Sequence, residues 1–168
     1  KPWEDLNYFA KLGVKQGLDS DNNDTRAYIW LSADVFSNDD WSKKWKNEQD
    51  SWLYQLLYID GVYYLDGKDD YSLYARYDLG YTFKVYEQNK QRATPYGFAQ
   101  RSESSSSGRS FDDSRIGIGF SWAWDWKEDH YDGFSINSEV GIEWQHIIEN
   151  NNYTGSGDSF VLRFSAYF

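Results

Sequence analysis

The sequence predicts an all-β chain, a closed antiparallel up-and-down transmembrane β-barrel of about eight strands, with residues 1–168 forming one domain. Three observations carry that prediction. Segments of about ten residues alternate apolar and polar side chains, the period of a strand whose two faces meet different surroundings. Aromatics make up 20% of the chain, with nine Trp, fifteen Tyr and no Met, yet mean hydropathy is only −0.83. Bulky amphipathic rings in a polar chain suit two interfacial girdles better than an aliphatic core. Finally, no stretch reaches the roughly 18 consecutive apolar residues of a spanning helix, whereas barrel strands cross with about 9–11 residues and keep half of them polar.

The elements follow in order. Tyr8, Ala10, Leu12 and Val14 alternate with Lys11, Gly13 and Lys15 in a first strand. Asp19, Asp21, Asn22, Asn23 and Asp24 form a turn-rich loop that loosely resembles a calcium loop but lacks its glycine and distant glutamate. Ala27, Ile29, Leu31, Ala33 and Val35 then alternate with Tyr28, Trp30, Ser32 and Asp34. Residues 37–51 connect onward, with Trp41 and Trp45 one helical turn apart among lysines, which suits either a short interfacial helix or a solvated loop. Residues 52–65 are apolar on both parities, so their outward face is not assignable from sequence.

Asp66-Gly67-Lys68 marks a tight turn, and the clearest alternation follows, Tyr71 to Val85 on odd positions against Ser72 to Lys84 on even ones. Residues 95–101 read as a weak strand with Pro95 near its start, and 102–108, rich in Ser, as a mobile loop. Ile116, Ile118, Phe120, Trp122, Trp124 and Trp126 alternate with small and polar residues, the three Trp forming an interfacial belt. A turn at 127–133 leads to Phe134, Ile136, Val140, Ile142 and Trp144, opposed by Ser135, Asn137, Glu139, Glu143 and Gln145. The last strand, after a loop at 150–158, places Phe160, Leu162, Phe164, Ala166 and Phe168 on one face.

An even number of antiparallel strands in lipid must close, because an open edge would leave backbone groups unpaired in hydrocarbon. The inward set is then Lys11, Lys15, Asp34, Arg76, Asp78, Arg115, Asp125, Glu139, Glu143 and Arg163. Buried charges are costly unless paired, so Glu139 and Glu143 are expected to meet Arg76, Arg115 or Arg163 across the lumen. With bulky Tyr28, Trp30, Tyr74 and Tyr167 also inward, the lumen of an eight-stranded barrel is plugged; a selective pore is the alternative. Leu79, Ile118, Phe120, Ile142, Phe164 and Ala75 face lipid.

Composition excludes several classes. Without cysteine there is no disulfide, thiol nucleophile or cysteine metal site, and a net charge of −10 repels phosphate backbones, so nucleic acid is not a partner. No Gly-rich phosphate loop or metal-ligand spacing occurs, and no cofactor or metal is expected; His130, among Glu128, Asp129 and Asp132, could bind a divalent cation weakly, but such acidic turns are usually only solvated. Lys1-Pro2-Trp3 follows no apolar leader, so an export signal is expected to be removed or to lie outside these residues.

The closing alternation, Phe160, Leu162 and Phe164 ending on Phe168, resembles the terminal insertion signal of bacterial outer-membrane β-barrel proteins. That resemblance implies the outer membrane of a Gram-negative bacterium, with lipid, lipopolysaccharide and the barrel assembly machinery as partners. Tyr71–Phe83 (YSLYARYDLGYTF) and 116–131 are similar to the C-terminal barrel of NfrA-type phage adsorption proteins, in which helical repeats precede an outer-membrane barrel. No helical-repeat segment exists in these residues, so the chain is expected to be the C-terminal part of a longer protein. This second resemblance implies a non-enzymatic surface receptor, or a component of a glycan-export assembly, meeting a surface glycan, a phage protein or a periplasmic partner. The rim would be loops 19–25, 66–70, 102–113 and 150–158, with Phe111 and Tyr153 as anchors. A lipid A-modifying enzyme is the alternative. His146 resembles the catalytic histidine of lipid A deacylases of the PagL type, but that family's serine two residues on is Ile148 here, and no catalytic residue is assigned.

Overall fold

The structure is a computed structural model and describes residues 6–16, 25–35, 49–65, 70–106, 109–127, 135–151 and 157–167. Eight strands, β1 Leu6–Gln16, β2 Thr25–Val35, β3 Ser51–Tyr64, β4 Tyr71–Tyr86, β5 Gln91–Ser106, β6 Arg109–Lys127, β7 Ser135–Asn150 and β8 Asp158–Tyr167, form one antiparallel sheet. Its order is β1-β2-β3-β4-β5-β6-β7-β8, so each strand pairs with its sequence neighbours. Among the described residues the only helical element is a single 3₁₀ turn, Gln88–Lys90, joining β4 to β5; Asn89 there has φ 57°, a left-handed conformation its side chain tolerates. Among the described residues no helix is long and apolar enough to cross a membrane, which leaves crossing by strands untouched.

The all-β, up-and-down expectation holds; closure does not. Among the described residues no ladder joins β1 to β8, and the sheet has two free edges. The curl is concentrated in the second half. The described side-chain hydrogen bonds that skip strands join β4 to β7 (Arg76–Glu143), β5 to β7 (Tyr96–Glu143) and β5 to β8 (Arg163–Tyr96). They draw β4–β8 into a trough, whereas the inner face of β1–β3 carries large rings around a hollow.

One strand is longer than expected and one loop assignment is corrected. Residues 95–101 are the centre of a 16-residue strand, and the serines of 102–106 continue it, Ser102 opposite Asp113 and Ser106 opposite Arg109. Residues 102–113 are therefore strand on both sides of 107–108. Cross-strand pairing sustains polar residues there because each ladder bond is between backbones and does not need an apolar side chain. Pro95 lies inside this central strand. The β4–β5 ladder skips it, running from Gly80↔Tyr96 to Phe83↔Ala93, as a residue without N–H requires, and Thr82 and Thr94 bridge the gap by a 2.9 Å hydroxyl bond.

Exposure along the strands shows two unlike faces. Leu53, Ile59 and Tyr63 on β3, alternate residues such as Leu73, Leu79 and Phe83 on β4, Ile116, Ile118 and Phe120 on β6, Ile142 on β7 and Phe160, Leu162 and Phe164 on β8 are exposed. The face of residues 52–65 is thereby assigned: odd positions outward, with Trp52 buried on the inner side. Buried residues on the other face are mostly polar or charged, including Arg76, Asp78, Thr82, Asp125, Glu143 and Gln145. A sheet with an apolar exterior and a charged interior inverts the usual water-soluble arrangement.

Candidate functional site on the inner face

The centre of the trough is Glu143 on β7, 1% exposed. Arg76 on β4 donates to it at 2.5 and 3.3 Å and to Asp78 at 2.7 and 3.3 Å, so one guanidinium fork is shared by two carboxylates. Arg163 on β8 stands 3.0 Å from the same Glu143 oxygen. The Tyr96 hydroxyl donates to Glu143 at 2.7 Å and accepts from Arg163 at 2.5 Å, while Gln145 donates to the second Glu143 oxygen at 3.0 Å. Two arginines thus face two carboxylates, with a phenol and an amide filling the remaining positions.

Glycines make room for this arrangement. Both cross-strand neighbours of Tyr96 are glycine, Gly80 on β4 and Gly119 on β6, and a Cβ on Gly119 would stand 2.3 Å from the Tyr96 ring. The ring lies flat over the neighbouring backbone and carries its hydroxyl to the middle of the trough. Gly117 serves Phe98 in the same way, and Phe98 offers its face to Arg76, whose Cζ is 4.2 Å from the ring centroid.

Two smaller clusters lie toward the ends. Near the end that carries segments 17–24, 66–69, 107–108 and 152–156, Arg115 donates to Asp113 at 2.6 and 2.8 Å and to Gln145 at 3.0 Å, and Asn150 donates to Asp113 at 2.8 Å. At the opposite end Arg92 meets Asp125 at 3.3 Å, with Lys90 Nζ 3.8 Å away from the same carboxylate. Glu139 is half-buried between Ala123 and Ser165. Lys11 is exposed opposite Trp30, and of Lys15 and Asp34 only the backbone positions, opposite Arg26 and Asn7, are described.

Phe160, Leu162 and Phe164 lie on the outer face of β8, and Phe164 is 71% exposed; Phe168 is outside the described residues. Trp122 and Trp124 are half-buried on β6, Trp126 is placed by its backbone opposite Ile136, and Trp41, Trp45, His130, Tyr153 and the acidic loop at 19–24 are outside the described residues. His146 is on the outer side of β7, its Nδ1 2.8 Å from the Asp158 carboxylate and its ring stacked on Trp144. Among the described residues no group of three His, Cys, Asp or Glu side chains could hold a metal.

Sequence reasoning missed Tyr96, Arg92 and Asp113. The first two lie in or beside a segment read as weak or unassigned, and the third in one read as loop. A usable signal existed for Tyr96: aromatic residues at 96 and 98 face glycines at 119 and 117, a small-large complement that fixes both register and face.

The profile of the family described as "Bacteriophage N adsorption protein A C-term" matches residues 1–158. Bacteriophage adsorption protein A of Escherichia coli (strain K12) is 26% identical over 153 residues, a match covering 90% of this chain and 15% of that protein. The chain thus spans a small part of the length of the relative it matches. No solved structure matches.

Proposed function

The chain belongs to the bacteriophage N adsorption protein A C-terminal family, and from that membership we propose that it is the outer-membrane sheet of a surface protein to which phage adsorb. It acts without catalysis: the outer face meets lipid, the charged trough holds the strands in shape, and one rim is presented to the outside. The observation that carries this reading is the pairing of a continuous exposed apolar face, Leu79, Ile118, Ile142 and Phe164 among it, with a buried interior knot around Glu143. Such a face suits hydrocarbon outside it, provided that the free edges of β1 and β8 are paired by further strands. With the terminal strand running inward to the periplasm, the segments at 17–24, 66–69, 107–108 and 152–156 form the outer rim. Anchoring a glycan-export assembly is compatible with the same placement.

The test replaces each of these four segments in turn by Gly-Ser sequence of equal length, and measures adsorption of a phage that requires the protein. Adsorption should fall for at least one replacement while the amount of protein in the outer membrane is unchanged. Undiminished adsorption with all four replaced would overturn the rim as the receptor. A second reading, lipid A modification, is favoured by the His146–Asp158 pair on the lipid side. Mass spectrometry of lipid A from cells carrying His146→Ala decides it, and on our reading the spectra are identical to those of the parent.

A further inference from the structure

The two halves of the inner face differ in packing. Over β4–β8 the rings are buried and the charges are knotted together, but over β1–β3 a hollow of about 440 Å³ remains, lined by Lys11, Val14, Tyr28, Trp30, Val62 and Tyr64. That volume is in the range of sites for small organic ligands, roughly 300–1,000 Å³. The walls are platforms. An added Cβ on Gly13 would stand 2.5 Å from the Tyr28 ring, so that ring lies flat on the backbone of β1. Tyr64 is tilted 60° to it at a centroid distance of 6.2 Å. Trp30 is oriented by its indole N–H, which donates to Asp60, and Tyr58 donates to the same carboxylate at 3.3 Å.

We propose that this hollow is a carbohydrate subsite that takes one pyranose unit of a glycan, its C–H face on Trp30 and Tyr28 and its hydroxyls toward Lys11. The chemistry selects the class. Aromatic rings arranged at angles also form cages for quaternary ammonium groups, but the Lys11 ammonium on the wall opposes a cation, and Asp60 already receives two donors. A purely aliphatic ligand would desolvate the Lys11 ammonium without giving it a partner. A sugar ring offers both an apolar face and hydroxyls that donate and accept. The hollow lies between Lys11 and Tyr64, toward the rim assigned above to the cell exterior, so the subsite rests on that orientation only for where the glycan comes from, not for binding itself.

The experiment is isothermal titration of the purified protein in detergent with cellohexaose, whose β-linked rings carry flat C–H faces, and separately with choline. Cellohexaose should bind saturably, and Trp30→Ala or Tyr28→Leu should each weaken it about tenfold, the loss of one stacking contact of roughly 1.4 kcal/mol. Trp144→Ala, on the outer face, should leave the titration unchanged, and choline should give no heat. Folding of each variant is checked by its electrophoretic shift on heating, and Tyr64→Ala stands in for any variant that fails that check. No saturable heat with the folded parent, equal affinity in the stacking variants, or binding of choline in place of the sugar would overturn the proposal. Phage adsorption by the same variants separates the two readings: intact adsorption with sugar binding lost keeps the rim receptor and the subsite as distinct functions.

Discussion

Arg76 and Glu143 sit on strands β4 and β7, three intervals apart in the sheet, and are joined at 2.5 Å. At the usual spacing of about 4.8 Å between strands those intervals amount to about 14 Å along the sheet, so the contact exists only because β4–β7 curl and both side chains point into the concavity. Glu143 is buried with Arg76, Arg163, Tyr96 and Gln145 around it, and removing one partner strands the rest. Glu143→Ala should cost about 3–5 kcal/mol in a urea titration of the protein in vesicles, whereas Arg76→Met with Glu143→Leu should cost far less. A single-variant loss below about 1 kcal/mol, the size of an exposed pair, would show that the knot does not hold the trough.

Tyr96 and Gly119 provide a second test. Because a Cβ at Gly119 would meet the Tyr96 ring at 2.3 Å, Gly119→Ala should destabilise by about 1–3 kcal/mol, the usual cost of overpacking. In a Tyr96→Ala background the same change should cost nearly nothing. Equal costs in both backgrounds would place the strain in the strand itself and not in the ring above it.

The outer face makes the third prediction. Ile142 is 51% exposed in the middle of β7, and Ile142→Arg or Ile118→Arg should each cost about 2–4 kcal/mol for folding into vesicles if the position lies at the bilayer midplane. Thr82→Ser, on the inner face, serves as the mild control. Refolding of Ile142→Arg in vesicles with the parent's stability would mean that this face does not meet lipid.

Deletion of Phe168 is the fourth. The alternation of Phe160, Leu162 and Phe164 along an exposed face offers a regular apolar edge strand to an assembly machine, and the deletion should lower the amount assembled in cells more than refolding into detergent. Matching losses in both settings would leave the residue a packing role only.

Much of this architecture was legible in the residues. Strands β1, β2, β4, β6, β7 and β8 announce themselves by period-two alternation, because one face meets an apolar exterior and the other a polar interior. Strand β3 gave its extent and not its face, since Tyr58, Tyr64 and Val62 inside are as apolar as Ile59 and Leu53 outside. Strand β5 was shortened at both ends: its proline and its serines carry a loop composition, while its pairing rests on backbone bonds to β4 and β6 that composition does not record. The free edges of β1 and β8 were hidden for the same reason, as closure is a property of two distant backbones. Arg92 and Asp113 were missed together with the strand ends that hold them.

Every ladder in the sheet joins neighbours in sequence, across connections of 17–24, 36–50, 65–70, 87–90, 107–108, 128–134 and 151–157. The unit of construction is therefore the hairpin, whose two arms find each other at little loop-closure cost, and the register of one does not depend on that of the next but one. Width in such a molecule is quantised in pairs of strands: a hairpin can be duplicated or lost along a lineage and the remaining ladders keep their partners. Interior side chains are what must adjust, since the reach from Arg76 to Glu143 is fitted to one curvature and no other.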